Sequence, residues 1–144
     1  MNVRKLLSCL AIYSAIIILS AGKTFALDVA IQGYDAVAYF NKSMAVSGQE
    51  AFSYEWNDEQ WLFSNQENLD AFKGSPEKYA PQYHGMCAYA VSKGSQAPGD
   101  PQVWEIVDDK LYFNLNKGIQ TRWAQDKAEN IRAADGYWAK LMDK

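Results

Sequence analysis

The stretch AFSYEWNDEQWLFS, residues 51–64, decides the fold class of this chain. Its first half alternates Phe52, Tyr54 and Trp56 with polar residues, which is the pattern of a half-buried strand. An Asn-Asp-Glu turn follows, and the Trp-Leu-Phe run after it has the composition of a returning strand. The stretch therefore predicts a β-hairpin.

Helical signals follow this hairpin directly. A cap at residue 64 or 65 begins a predicted helix through Lys73, with Leu69 and Phe72 facing inward and Gly74 as the stop. Ser75-Pro76-Glu77 opens a second, short helical turn, because proline is tolerated at the first helical position, and a proline at position 81 ends it. The hairpin is thus expected to pack against helices.

The remaining segments extend this alternation on both sides. Before residue 94 they are a predicted strand at 36–40 and a segment at 83–91 whose spacing fits either a strand or a helix. After it they are a loop at 94–101, a hairpin formed by 103–107 and 110–115, and two helices from Asn116 that divide near Asp135-Gly136 or slightly earlier. Helical spacing places Trp123 and Trp138 in the core. The order of elements predicts a small, single α+β domain of antiparallel β-hairpins packed against helices, with no internal repeat in the sequence.

The first 26 residues have the features of a secretory signal. Arg4 and Lys5 precede an apolar stretch from Leu6 to Ala21, and Thr24-Phe25-Ala26 offers the small residues that signal peptidase accepts. We expect cleavage after Ala26, which leaves residues 27–144 as the mature domain without a stable membrane anchor. The protein is therefore expected to be exported, to a periplasmic or extracellular location.

The charge balance of the mature domain excludes one class of partner. Residues 1–26 hold three basic residues and no acidic one, so residues 27–144 carry 11 basic and 17 acidic side chains, a net charge of −6. No run of Lys and Arg stands out in this part of the sequence. We therefore expect no nucleic-acid partner.

Residues 83–89, Tyr-His-Gly-Met-Cys-Ala-Tyr, form the chemically unusual stretch. They hold His84 and Cys87, the only histidine of the chain and the only cysteine of the mature domain, together with Met86. Thiolate and thioether ligands select Cu(I), and imidazole suits copper or zinc. The stretch predicts a metal site of these three residues, with copper as the cofactor.

Two other interpretations of Cys87 remain open. A histidine nearby can favour the thiolate, which would make Cys87 a catalytic thiol that reacts with a small oxidant or another thiol. A free cysteine is also among the most buried residue types. The third interpretation is therefore an inert, buried Cys87 in a structural or protein-interaction module.

Two further groups of residues are weaker candidates for a functional site. Gly33-Tyr34-Asp35 is best interpreted as a turn whose aspartate binds backbone N–H groups. Trp56 and Trp61 flank the turn of the first hairpin, where they either join the core or face a ligand.

Four stretches carry a resemblance to a known family. They are Gly33 to Phe40, Trp61 to Phe72, Pro76 to Tyr83 and Cys87 to Ser92, and the similarity continues through Trp104 and the closing helices. Together they resemble the exported YHS-domain family over essentially the whole mature chain. In this sequence Tyr83-His84 is followed by Gly85 where the family name has serine.

The resemblance adds functional expectations to those drawn from the residues. YHS domains occur alone or attached to copper-transporting ATPases and diiron monooxygenases, which implies binding of a soft metal for handling or sensing. Some exported relatives carry selenocysteine, which implies a redox-active chalcogen, and we place that position at Cys87.

Overall fold

The computed structural model describes residues 26–143. Its strands and helices form two small sheets packed against helices, which confirms the predicted α+β class. The signal-peptide prediction concerns residues that lie outside the described range, apart from Ala26.

The first half of the described chain holds a three-stranded sheet in the order β1-β3-β2. Its elements are β1 (Asp28–Val29), α1 (Ala38–Asn41), β2 (Gln49–Trp56), β3 (Glu59–Phe63), α2 (Gln66–Gly74) and α3 (Pro76–Tyr79). A 3-10 turn, Ala30–Gly33, separates β1 from α1.

The second half holds a two-stranded sheet and the longest helix. Its elements are α4 (Ala88–Ser92), β4 (Asp100–Val107), β5 (Lys110–Asn114), α5 (Lys117–Gln125) and α6 (Lys127–Met142). A second 3-10 turn, Gln82–Gly85, precedes α4.

Both predicted hairpins are confirmed, as are the helices that follow them. Asn57 and Asp58 at the first turn have φ angles of 54° and 61°, which match the twist of antiparallel strands. The Asn65 side chain accepts a hydrogen bond from the Asn68 N–H and caps α2, whose Phe72 is fully buried. The short turn α3 begins at a proline, as expected.

The predicted strand at 36–40 is wrong. The segment enters α1 instead, because the Asp35 carboxylate accepts hydrogen bonds from the N–H groups of Val37 at 2.9 Å and Ala38 at 3.2 Å. These two bonds turn the chain into a helical conformation directly after Asp35. The apolar run has no alternation because it is buried on every side.

The predicted division of the last two helices is also misplaced. The chain breaks at Asp126, whose φ and ψ are −141° and 61°, and α6 continues through Asp135-Gly136. A single glycine costs a helix only about 1 kcal/mol, which burial of the apolar face of α6 outweighs. Of the two tryptophans expected in the core, Trp123 is fully buried whereas Trp138 is half-buried.

A structural repeat relates the two halves, although none is visible in the sequence. The strands β2 and β4, the strands β3 and β5, and the helices α2 and α5 all begin 51 positions apart and have equal lengths. The caps of α2 and α5, Asn65 and Asn116, also lie 51 positions apart and have nearly the same φ and ψ. We call residues 28–79 the first unit and residues 82–142 the second unit.

Backbone hydrogen bonds at the start of each unit support this equivalence. The N–H of Gly48 donates to the Gly33 carbonyl at 2.8 Å, and in the second unit the N–H of Gly99 donates to the Gly85 carbonyl at 3.1 Å. The register of each hairpin also shifts at the same place, after the pairs that begin at Gln49 and Asp100. The repeat therefore extends from topology to detailed backbone geometry.

The units differ in the helix that closes each one. Phe63, Phe72 and Trp61 form the main core of the first unit, and its last helix, α3, has 4 residues. Trp123, Tyr112 and Tyr83 form the core of the second unit, against which α6, with 16 residues, packs through Ala134. The two units therefore differ most in the length of their last helix.

Candidate functional site

A pocket lies between residues of the two units. It has a volume of about 330 Å³ and opens between the first hairpin, the Gln82–Gly85 turn and α6. Its aromatic walls are Trp56, Trp61, Tyr83 and Trp138. A concave site of this size with several aromatic walls suits a small organic molecule.

The aromatic walls hold one another in place. The rings of Trp56 and Trp61 meet edge to face with centroids 5.6 Å apart, and Trp61 stacks on the buried Phe72 at 4.8 Å. On the opposite side Trp138 meets the Tyr83 ring at 5.8 Å. Because these contacts fix the rings before any ligand arrives, the pocket is largely preformed.

The ionisable side chains that line the pocket are mostly carboxylates. Its described lining contains three carboxylates, Glu59, Glu77 and Asp135, one imidazole, His84, and neither Lys nor Arg. Burial raises the pKa of Glu59, the charge of His84 opposes this effect, and Asp28 adds to it. The pocket is therefore an aromatic site with negative potential.

Tyr83 joins the pocket to the core of the second unit. Its hydroxyl donates a hydrogen bond to Asp135 Oδ1 at 2.8 Å, and its ring is 5% exposed. Burial raises the pKa of Tyr83 above its ordinary value, and the hydrogen bond to Asp135 raises it further. This bond orients the Asp135 carboxylate at the edge of the pocket.

Two left-handed turns meet at the pocket. Ile31 and Gln32 have φ angles of 41° and 54°, and Tyr83 and His84 have φ angles of 57° and 50°. Such values are unfavourable for ordinary residues, and for a β-branched residue such as Ile31 they are rare. Residues held in such conformations cluster at functional sites, where they fix the position of side chains.

His84, a residue expected in a metal site, lies at the edge of the pocket. Its side chain is exposed, and its ring meets Trp138 edge to face with centroids 5.1 Å apart. His84 and Met86 also line a separate, smaller cleft of about 190 Å³ beside Gly85 and Gly99. The structure thus brings two of the three predicted ligands to one surface.

Cys87, the third expected ligand, lies inside the protein. It is 1% exposed, and it lines neither the pocket nor the cleft. Its Sγ lies 3.6 Å from Asn114 Oδ1, an atom that also accepts a hydrogen bond from the Tyr89 N–H. Among residues 26–143, no three His, Cys, Asp or Glu side chains are grouped as metal ligands.

Asp35 occupies the position in the first unit that Cys87 occupies in the second. The Asp35 N–H donates to the Val46 carbonyl at 2.8 Å, and the Cys87 N–H donates to the Ala97 carbonyl at 2.8 Å. The buried Asp35 carboxylate accepts further hydrogen bonds from the Ser64 hydroxyl at 2.6 Å and from Asn68 Nδ2 at 2.7 Å. The interpretation of Asp35 as an acceptor of backbone N–H groups is confirmed, and its role is structural.

The sequence identified part of this pocket and missed the rest. Trp56 and Trp61 were recognisable as possible ligand-facing residues because they flank a turn. The acidic residues Glu77 and Asp135 carry no local signal, since they come from separate helices that only the tertiary fold brings together. Trp138 lies on α6 at the helical spacing of core residues, but its side chain also lines the pocket.

Comparison with known proteins finds no family model, no curated protein and no solved structure that matches the chain. Within the part of the chain that the structure describes, no helix has the length and apolarity to cross a membrane.

Proposed function

We propose that this protein is a ligand-binding domain whose site is the pocket lined by Trp56, Trp61 and Trp138. One observation carries the proposal. Residues of the first hairpin and of α6 line one open space, and three of the residues that line it are tryptophans.

The stabilisation lost by leaving aromatic side chains partly exposed favours a functional role for this open space. Aromatic side chains stabilise a small domain most when they are fully buried, as Trp123 is in the second unit. Half-buried tryptophans on both sides of a pocket give up part of that stabilisation. Binding of a small molecule would recover it by removing the same apolar surface from water.

Nuclear magnetic resonance with a fragment set tests this proposal directly. The set contains neutral, cationic and anionic aromatic and aliphatic compounds, and the indole N–H signals of the five tryptophans are followed. We expect hits to shift the signals of Trp56, Trp61 and Trp138 while that of the buried Trp123 stays in place. A set without hits, or with hits confined to other surfaces, would contradict the proposal.

Binding of a soft metal, the function that the YHS resemblance implies, is a second candidate. It is favoured by the cleft that His84 and Met86 share, since imidazole and thioether are ligands for Cu(I). Participation of Cys87 as a third ligand would require the thiol to leave its position beside Asn114.

Titration with Cu(I) in the presence of a competing chelator tests the second candidate. Binding at one equivalent should weaken in His84→Ala and in Met86→Leu. Loss of binding in Cys87→Ser would show that the thiol moves to the metal, whereas unchanged binding would restrict the site to His84 and Met86. Native protein that binds copper no better than a free thiol contradicts this candidate.

Export, cleavage after Ala26 and membership of the exported YHS family remain predictions. A redox reaction of the Cys87 thiol with a small oxidant also remains a prediction, and the 1% exposure of Cys87 weighs against it.

A further inference from the structure

We propose that the ligand of the pocket is an organic cation whose charge is carried by a methylated ammonium group. This inference rests on the proposed function and names the chemical class that the same pocket selects. It depends on the combination of aromatic faces and carboxylates around one preformed space.

The charge distribution gives the sign of the ligand. Glu59 lies on the first hairpin, Glu77 on α3 and Asp135 on α6, so carboxylates border the pocket from three different elements. His84 is the only basic residue in its described lining. An anionic ligand would be repelled by this arrangement, and a cation would be attracted.

The aromatic walls select among cations. The faces of tryptophan and tyrosine attract a cation through the ring quadrupole, and the attraction is strongest for cations that lose their water easily. Trp56 and Trp61 come from the first hairpin, whereas Tyr83 and Trp138 come from the Gln82–Gly85 turn and from α6. Methyl groups on nitrogen spread the charge and contact these rings without needing hydrogen-bond partners.

A diffuse organic cation suits these carboxylates better than a tightly coordinated metal ion. Mg²⁺ and Ca²⁺ need several oxygen ligands at about 2 to 2.6 Å around one point. Among the described residues, no group of three or more His, Cys, Asp and Glu side chains could hold a metal ion. Separate charges around an apolar space fit a larger cation with a diffuse charge.

Calorimetric titration of the protein with three probes tests the inference. Choline carries the trimethylammonium group, 3,3-dimethylbutan-1-ol is its neutral isostere, and potassium chloride at equal ionic strength controls for general charge screening. We expect choline to bind at one site and at least about tenfold more tightly than the neutral isostere, with potassium failing to compete.

Variants locate the binding and separate its two causes. Glu59→Gln removes one charge and should weaken choline binding several-fold while leaving the isostere unaffected. Glu55→Gln is the matched control, because Glu55 is on the same hairpin, is exposed and does not line the pocket. Trp138→Leu should weaken choline binding about tenfold, and Tyr137→Leu, at the neighbouring exposed position of α6, should not.

Each outcome of these titrations bears on the inference. Equal binding of choline and its isostere in the pocket would overturn the cation inference and leave the proposed ligand site intact. Failure of choline to bind at 10 mM (about the upper limit for a weak specific site) would overturn the inference as well. If the fragment set also gives no hits in the pocket, the proposed function fails with it. Thermal melts of all variants verify that they are folded, and Trp56→Leu replaces Trp138→Leu if the latter unfolds.

Discussion

The first unit and the second unit share one backbone plan and use it differently. In the second unit α6 covers the sheet and completes a core around Trp123 and Tyr112. In the first unit the corresponding helix, α3, stops after one turn, and the tryptophans of the hairpin border a pocket. The same backbone plan therefore ends in a long helix that completes a core in one unit and in a single helical turn in the other.

The buried anchors of the two units differ in chemistry as well. Asp35 is an acceptor of five hydrogen bonds, while Cys87 at the equivalent position makes one long contact with Asn114. The Nδ2 group of Asn114 is buried and has no described partner. Polar groups therefore fix the first anchor, and packing in a largely apolar environment fixes the second.

Truncation of tryptophans should give the largest contrast between the units. Trp123→Ala removes a fully buried side chain and should lower the free energy of unfolding by about 3 to 5 kcal/mol. Trp56→Ala, at the half-buried edge of the pocket, should cost about 1 to 2 kcal/mol. Urea denaturation measures both, and equal losses would contradict the distinction between closed and open units.

The two anchors should also differ in their contribution to stability. Asp35→Ala leaves several buried donors without an acceptor and should cost about 3 kcal/mol or more. Cys87→Ala removes one sulfur from an apolar site and should cost about 1 to 2 kcal/mol. If chemical denaturation gives the larger loss for Cys87→Ala, the anchors have been assigned the wrong roles.

Substitution of equivalent glycines tests the repeat itself. A Cβ at Gly48 would overlap the Leu62 backbone, and a Cβ at Gly99 would overlap the Gly85 carbonyl. Gly48→Ala and Gly99→Ala should therefore each destabilise the protein, by about 1 to 3 kcal/mol. Gly136→Ala is the control: a Cβ there meets no described atom within 4 Å, so helix propensity should make this variant slightly more stable. A loss at only one of the two equivalent glycines would weaken the case for the repeat.

Alkaline titration should show late ionisation of the buried tyrosines in the core of the second unit, an effect smaller than those of the substitutions above. Burial raises the pKa of Tyr112 from its ordinary value of 10.0 to about 12, with smaller contributions from Asp135 and Asp108, and burial likewise raises the pKa of Tyr83. A phenol with a raised pKa contributes stability that is fully present below about pH 10 and is lost as the pH rises through the folded value. Absorbance at alkaline pH should show these tyrosines ionising late, together with unfolding. Their complete ionisation near pH 10 in folded protein would contradict this account of the core.

The sequence alone was sufficient to predict the strands and helices that are specified by local patterns. Alternation between Phe52 and Trp56 predicted the first hairpin, and an Asn cap with a glycine stop predicted α2, because these signals act over a few residues. The run at 36–40 was misassigned because its helical turn depends on the Asp35 side chain. The division at Asp126 was missed because the glycine at position 136 is a stronger local signal than the actual break.

The site was only partly predictable for a related reason. The stretch around Cys87 is unusual in composition, and this drew attention to residues that the fold then separates, with His84 and Met86 at the surface and Cys87 inside. The pocket is lined by residues of the first hairpin and of α6, which are distant in sequence. The repeat also escaped detection, since the two units have equivalent backbones but different side chains.

The central claim is that Cys87 is an inaccessible structural residue and that the ligand site lies elsewhere, in the pocket between the first hairpin and α6. Measurement of the rate at which a disulfide reagent modifies Cys87 in native, metal-free protein of residues 27–144 tests it most directly. The account predicts almost no reaction in the native state and complete reaction of one thiol per chain after unfolding in urea. Rapid, stoichiometric reaction of the native protein would contradict it and would return the functional site to Cys87.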